Sequence, residues 1–131
     1  MKVGEISKRW FEFAEKDIRN AKILFENKSY EGCIWHCHQA MEKFLKGAVA
    51  RNGKAIRKTH DLPVLLNDTG LNWPKSILDF TEELNAYYQP VRYPDSAFTH
   101  PLKYSRKTAD NFLKLTETTI KWLKFQTKQN K

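Results

Sequence analysis

The stretch Gln89 to Pro101, QPVRYPDSAFTHP, holds Arg92, Tyr93, Asp95 and His100. Arginine offers a planar fork that matches phosphate oxygens. Histidine exchanges a proton near neutral pH. Arg92 and His100, with seven residues between them, are therefore the candidate catalytic pair for phosphate chemistry. Tyr93 adds a stacking surface and Asp95 an orienting carboxylate, so Arg92, Tyr93 and Asp95 are also candidate nucleotide or RNA contacts. Lys43, Lys46, Arg51 and Lys58 are candidate helpers in binding an anion. His60, in Thr59-His60-Asp61, reads first as a capping or packing residue and second as a contact. Cys33, His36 and Cys37 fall at i, i+3 and i+4 of one helix, where all three could reach a common point. Zinc wants a fourth ligand or water. No second CxxC or HxxxH is present, so no metal is assigned. No glycine-rich phosphate loop occurs, and no cofactor is expected.

The chain as a whole sets limits on these candidates. Its 131 residues suit a single domain, 1–131, with one core. Lysine and arginine number 23 against 15 aspartates and glutamates, a formal charge of +8. Such a balance favours acidic partners. Cys33 and Cys37 lie one helical turn apart, a poor disulfide geometry. Reduced thiols in the cytoplasm fit better. No stretch approaches the length of apolar residues needed to span a bilayer, so no membrane association is expected.

Helical periodicity supplies the elements that must position these side chains. Tyr30 to Arg51 is the organising helix, with Ser29 as N-cap and Gly53 as its stop. Ile34, Cys37, Met41, Phe44, Leu45, Ala48 and Val49 make its apolar face, and His38 falls on that face as a hydrogen-bonded core histidine. Gln39, Glu42, Lys43 and Lys46 crowd one shoulder. Cys33, Ala40 and Gly47, seven residues apart, let a neighbouring helix approach closely.

A first helix over Ser7 to Asn27 carries Trp10, Ala14, Ile18, Ala21 and Phe25. Asp17 sits inside that apolar arc and needs a donor, either as a structural ion pair or to orient a basic residue of a site. A short helix between His60 and Gly70 follows, capped by Thr59 or Asp61 with Pro63 in its first turn. A fourth, capped by Asn72 and halted by Pro90, carries Ile77, Phe80, Leu84, Tyr87 and Tyr88. Gln89 to Pro101 then reads as a loop. The last helix, Leu102 to Gln126, carries Ala109, Phe112, Leu113, Thr116, Ile120 and Leu123. Tyr104, Leu115 and Trp122 form a second strip on it, suited to a broader core or to a subunit interface. The expected architecture is all-α: an up-and-down antiparallel four-helix bundle with one additional short helix.

Several of these residues, in this order, resemble the HEPN family. They are Trp10, Ala14 and Asp17; Tyr30 followed by Gln39-Ala40-Met41-Glu42-Lys43 with Leu45-Lys46; Thr59-His60-Asp61-Leu62; Arg92-Tyr93-Pro94-Asp95; and a last helix from Ala109 to Trp122-Leu123. The resemblance implies a helical bundle that pairs into a homodimer and engages nucleotides or RNA. It also implies a partner, a minimal nucleotidyltransferase, in a toxin–antitoxin-like pair. Some relatives are metal-independent endoribonucleases, with an arginine followed at a shorter interval by a histidine. Arg92 and His100 would fill those roles here. The leading expectation is a nucleotide- or RNA-binding module. The alternatives are that endoribonuclease and a protein-interaction subunit without a ligand.

Overall fold

The computed structural model describes residues 3–92 and 104–129, with side chains for 4–88 and 104–126. Among the described residues five helices follow one another: α1 (Val3–Glu26), α2 (Tyr30–Arg51), α3 (Leu62–Asp68), α4 (Lys75–Arg92) and α5 (Arg106–Gln129). The all-α bundle read from the periodicity is what forms. α2 touches each of the other four helices, α1 touches α5, and α4 closes the ring against α5. α3 lies on α2 and α4. The organising helix of the sequence is therefore the central element of the bundle.

Local chemistry sets the ends of these helices. α1 closes with Lys28 in the left-handed region, φ 61°. The Ser29 N–H donates to the Leu24 carbonyl at 2.8 Å and the Lys28 N–H to that of Phe25 at 3.0 Å, which is a Schellman closure. α2 closes the same way at Gly53, φ 73°, where glycine meets no Cβ penalty. Asp61 caps α3, its Oδ1 accepting from the Val64 N–H at 3.4 Å, with Pro63 in the first turn.

Four helix ends and one cap differ from the sequence reading. α1 starts at Val3 rather than Ser7; Ser7 is buried inside the helix and donates to the Gly47 carbonyl at 2.9 Å. Ser29 occupies the N-cap position of α2 but makes no side-chain cap bond. α4 starts at Lys75, and the Pro74 carbonyl, not Asn72, takes up the first free N–H groups of Ile77 and Leu78. Pro90 does not halt α4, which runs on to Arg92. Pro90 forfeits the N–H bond that would reach back to the carbonyl of residue 86, and only two helical residues follow it. α5 spans Arg106–Gln129, because Ser105 caps it by accepting from the Thr108 N–H at 3.1 Å.

The predicted stripes converge on one core. Phe44, Phe112, Leu45, Leu84 and Leu123 are essentially sealed from solvent, and burial of each such side chain stabilises by about 1.5–3 kcal/mol. The second strip of α5 joins this core. Trp122 packs on Trp73 at 4.5 Å and Tyr104 on Tyr87 at 6.0 Å. Trp73 is in turn fixed by donating to Thr69 Oγ1 at 2.9 Å. Trp122, partly buried, thus packs against a neighbour within the chain.

Gly47 shows why small residues line α2. A Cβ built there would lie 2.6 Å from the Phe11 ring, and Phe11 is packed on Phe44 at 5.4 Å. Alanine normally gains about 1 kcal/mol over glycine inside a helix. At this position the overlap costs about 1–3 kcal/mol and outweighs that gain. Gly47→Ala is expected to lower the urea-unfolding free energy. A more stable variant would mean that α1 and α2 are not in close contact here.

Candidate functional site

Two buried carboxylates anchor the polar shoulder of α2. Asp17 of α1, 6% exposed, accepts from Lys43 Nζ at 2.6 Å and faces His36 Nδ1 at 3.0 Å. Burial pushes its carboxyl up, but the His36 and Lys43 hydrogen bonds outweigh burial and leave it below the usual range. Of the two roles open to Asp17, the ion pair is what forms. Glu42, 5% exposed, accepts from Lys46 Nζ at 3.0 Å through one oxygen. Its other oxygen meets His60 Nδ1 at 2.8 Å. Lys46 is itself buried, and its ammonium lies 5.6 Å from the centre of the Trp10 ring. The ammonium groups of Lys43 and Lys46 are therefore committed to internal carboxylates. His60 differs, because its side chain is 57% exposed while its Nδ1 is held.

A second set of contacts brings α4 to this shoulder. His38, completely buried, places Nε2 3.3 Å from Asn85 Oδ1. That oxygen also accepts from the Leu62 N–H at 3.1 Å. An amide oxygen can only accept, so Nε2 carries the proton, and Nδ1 finds no partner among the described residues. Tyr88 stacks on the His38 ring at 3.9 Å and lies 5.6 Å from the His60 ring. Burial depresses His38 to about 4, against the opposing pull of the Asn85 hydrogen bond and the Glu42 charge. His38 is thus a neutral, hydrogen-bonded core histidine, as its place on the apolar face implies.

Arg92 is the last residue of α4, four residues after Tyr88 and seven after Asn85, at helical spacing from both. It lies at a helix end rather than in a loop. Tyr93, Asp95 and His100 lie outside the described residues. Arg51 and Lys58 are exposed, and Arg51 borders a small cavity of about 120 Å³ with Phe11, Phe44, Leu123 and Lys124. Cys33 and Cys37 are free and buried. The Cys37 thiol donates a hydrogen bond to the Cys33 sulfur, and this together with burial pushes it up. His36 is turned to Asp17. Among the described residues no helix is long and apolar enough to cross a membrane.

Sequence reasoning brought Lys43, Lys46 and His60 forward but missed what holds them. Glu42 stood out only as one member of a polar shoulder, although its i,i+4 spacing to Lys46 was a usable signal. Asn85 was missed outright. A polar residue between Leu84 and Tyr88 on an apolar stripe was the available clue.

With this geometry in hand, comparison with known proteins identifies the class. The HEPN domain family matches residues 7–126, and the chain belongs to that family. A Methanocaldococcus jannaschii protein named "Putative toxin MJ1304" is 26% identical over 130 residues, covering 90% of this chain and 86% of its own length. The crystal structure of TT1696 from Thermus thermophilus superposes with a TM-score of 0.80 at 26% identity, covering 90% of this chain and 95% of that one. That of ST0689, described as an archaeal HEPN homologue, gives 0.77 at 27% identity, covering 96% and 98%.

The buried His38 sets a pH dependence. In the unfolded chain it takes up a proton near its ordinary 6.5, and in the fold only near 4. Between these values the unfolded state binds more protons. Stability is then full above about pH 6.5 and falls by about 3 kcal/mol on the way down to pH 4. Urea unfolding across that range is expected to show this slope, and His38→Gln is expected to reduce it by close to one proton. An unchanged slope would mean that His38 is solvated.

Proposed function

We propose that this protein is a nucleotide- or RNA-binding module that acts as a homodimer beside a minimal nucleotidyltransferase partner, in a toxin–antitoxin-like pair. The observation that carries the reading is His60. Its ring is more than half exposed, yet a buried carboxylate, Glu42, holds its Nδ1 at 2.8 Å. The Tyr88 ring lies beside it, and the helix carrying Tyr88 ends at Arg92. An oriented imidazole beside an aromatic ring suits a phosphate with an attached base. The formal charge of +8 supports an anionic ligand, and the name of the M. jannaschii relative supports the toxin assignment.

Arg92 is the first residue to test. Scattered lysines give a weak, salt-sensitive affinity that no single residue controls. Arg92→Ala is expected to lower the affinity for fluorescein-labelled RNA about tenfold, while helical content and light-scattering mass stay constant. Lys128→Ala is expected to change little. Equal losses from the two would reduce the binding to nonspecific charge. The same RNA incubated with chelator tests the alternative in which Arg92 and His100 form an endoribonuclease. Cleavage that survives chelation and disappears in His100→Ala would replace binding with catalysis.

A further inference from the structure

The fold leaves one face of α1 uncovered. The helix buries Ala14, Ile18 and Ala21 against the core, yet Phe13 is 50% exposed. Ile6, Arg9, Trp10 and Phe13 line a concavity of about 240 Å³, and all four belong to α1. Beside this apolar flank runs a stripe of charge. Glu5, Arg9, Glu12 and Lys16 follow one another three or four residues apart, so they share one face with alternating sign. All four are exposed. Glu5 with Arg9, and Glu12 with Lys16, stand at the spacing of an intrahelical pair. Among the described residues, however, none of the four takes part in an ion pair. Lys16 Nζ instead stands 5.3 Å from the centre of the Phe13 ring.

The order of these charges has a centre. Glu5 stands as far before the midpoint between Trp10 and Phe11 as Lys16 stands after it, and Arg9 and Glu12 flank the same midpoint at equal distances. A two-fold axis through that midpoint, perpendicular to two antiparallel copies of α1, sets Glu5 against the partner's Lys16 and Arg9 against the partner's Glu12, with the reverse pairs by symmetry. Every charge of the stripe then meets its opposite. The same operation keeps each flank of the stripe facing its own counterpart, so the flank of Ile6, Trp10 and Phe13 meets itself. At about 1.5 Å per residue, Ile6 falls about 3 Å from the level of the partner's Phe13, within reach of its ring. Of the remaining charges in this stretch, Glu15 is held by Lys124 at 2.9 Å, and Lys8 lies beyond Glu12 on the flank away from Phe13. A polyanion would meet Glu5 and Glu12 as readily as Arg9 and Lys16. A surface with the same alternation in reverse order fits better, and an antiparallel copy of α1 supplies it.

We propose that α1 pairs antiparallel with α1 of a second copy about this axis, with Ile6, Trp10 and Phe13 as the apolar strip and Glu5, Arg9, Glu12 and Lys16 as reciprocal ion pairs beside it. This inference rests on the homodimer in the functional reading above and names its contact face. The apolar strip supplies the buried area, and the charges fix the register.

Analytical ultracentrifugation of the parent and two variants over a concentration series tests the contact. Arg9→Glu sets like charges together at two symmetry-related places, while lowering the net charge of each copy and so the general repulsion between copies. It is expected to raise the dimer dissociation constant at least about tenfold, with helical content unchanged. Arg9→Glu/Glu12→Arg exchanges the two signs and keeps the register, and is expected to dimerise within about twofold of the parent. The contact is overturned if Arg9→Glu dimerises as the parent does, or if the exchange variant, folded, is as weak as Arg9→Glu; the homodimer itself stands in both cases. A parent that stays monomeric at tens of micromolar sinks the contact and the homodimer together. An unchanged dimer constant in Arg9→Glu, with lost binding to labelled RNA or to phosphatidylserine vesicles, gives the face to a nucleic acid or a membrane instead.

Discussion

A carboxylate taken into a protein interior must find opposite charge or lose its own. Glu42 is such a carboxylate, on the helix that every other helix touches. Lys46, one turn along, supplies one counter-charge, and His60, eighteen positions away, supplies the other contact. The second contact has structural reach. It draws the segment before α3 onto α2, so that the Leu62 N–H meets Asn85 and α4 is tied to the same point. Asp17 repeats the device on the other side of the shoulder, joining α1 to α2 through Lys43 and His36. Polar groups placed this way contribute little net stability compared with well-packed apolar ones. What they supply is fixed direction in side chains that would otherwise be free.

This arrangement divides the basic residues into two kinds. Lys43 and Lys46 are held by carboxylates, and Lys46 is shielded from solvent. Arg51 and Lys58 are exposed and add to the general field of a chain with net charge +8. His60 belongs to neither kind, being held on one side and open on the other. In the function proposed, that combination suits recognition of a ligand at a defined position better than diffuse attraction, because an oriented group loses less freedom when it binds.

Much of the fold was legible because amphipathic periodicity is a local signal. The span of α2, Tyr30–Arg51, follows from its stripe and from Gly53, and Asp61 with Pro63 marks the start of α3. His38 and Asp17 were placed correctly by polarity on an apolar face, each needing a partner. The partners themselves were not legible. His38 meets Asn85 and Glu42 meets His60 across 47 and 18 residues, and no helical repeat encodes a pairing between helices. Trp122 was ambiguous for the same reason, since its companion Trp73 precedes a different helix. Pro90 misled because proline usually ends a helix, whereas α4 continues to Arg92. Tyr93, Asp95 and His100 lie outside the described residues.

The central claim is that the Glu42 pair serves to aim His60 at a ligand rather than to hold the bundle together. The double variant Glu42→Leu/Lys46→Met, which replaces a buried pair with apolar side chains, tests it when its unfolding free energy and its RNA affinity are measured together. The account predicts stability within about 1 kcal/mol of the parent and an RNA affinity lowered at least about tenfold, equivalent to about 1.4 kcal/mol, matching the loss in His60→Ala. Unchanged affinity with a large fall in stability would contradict it.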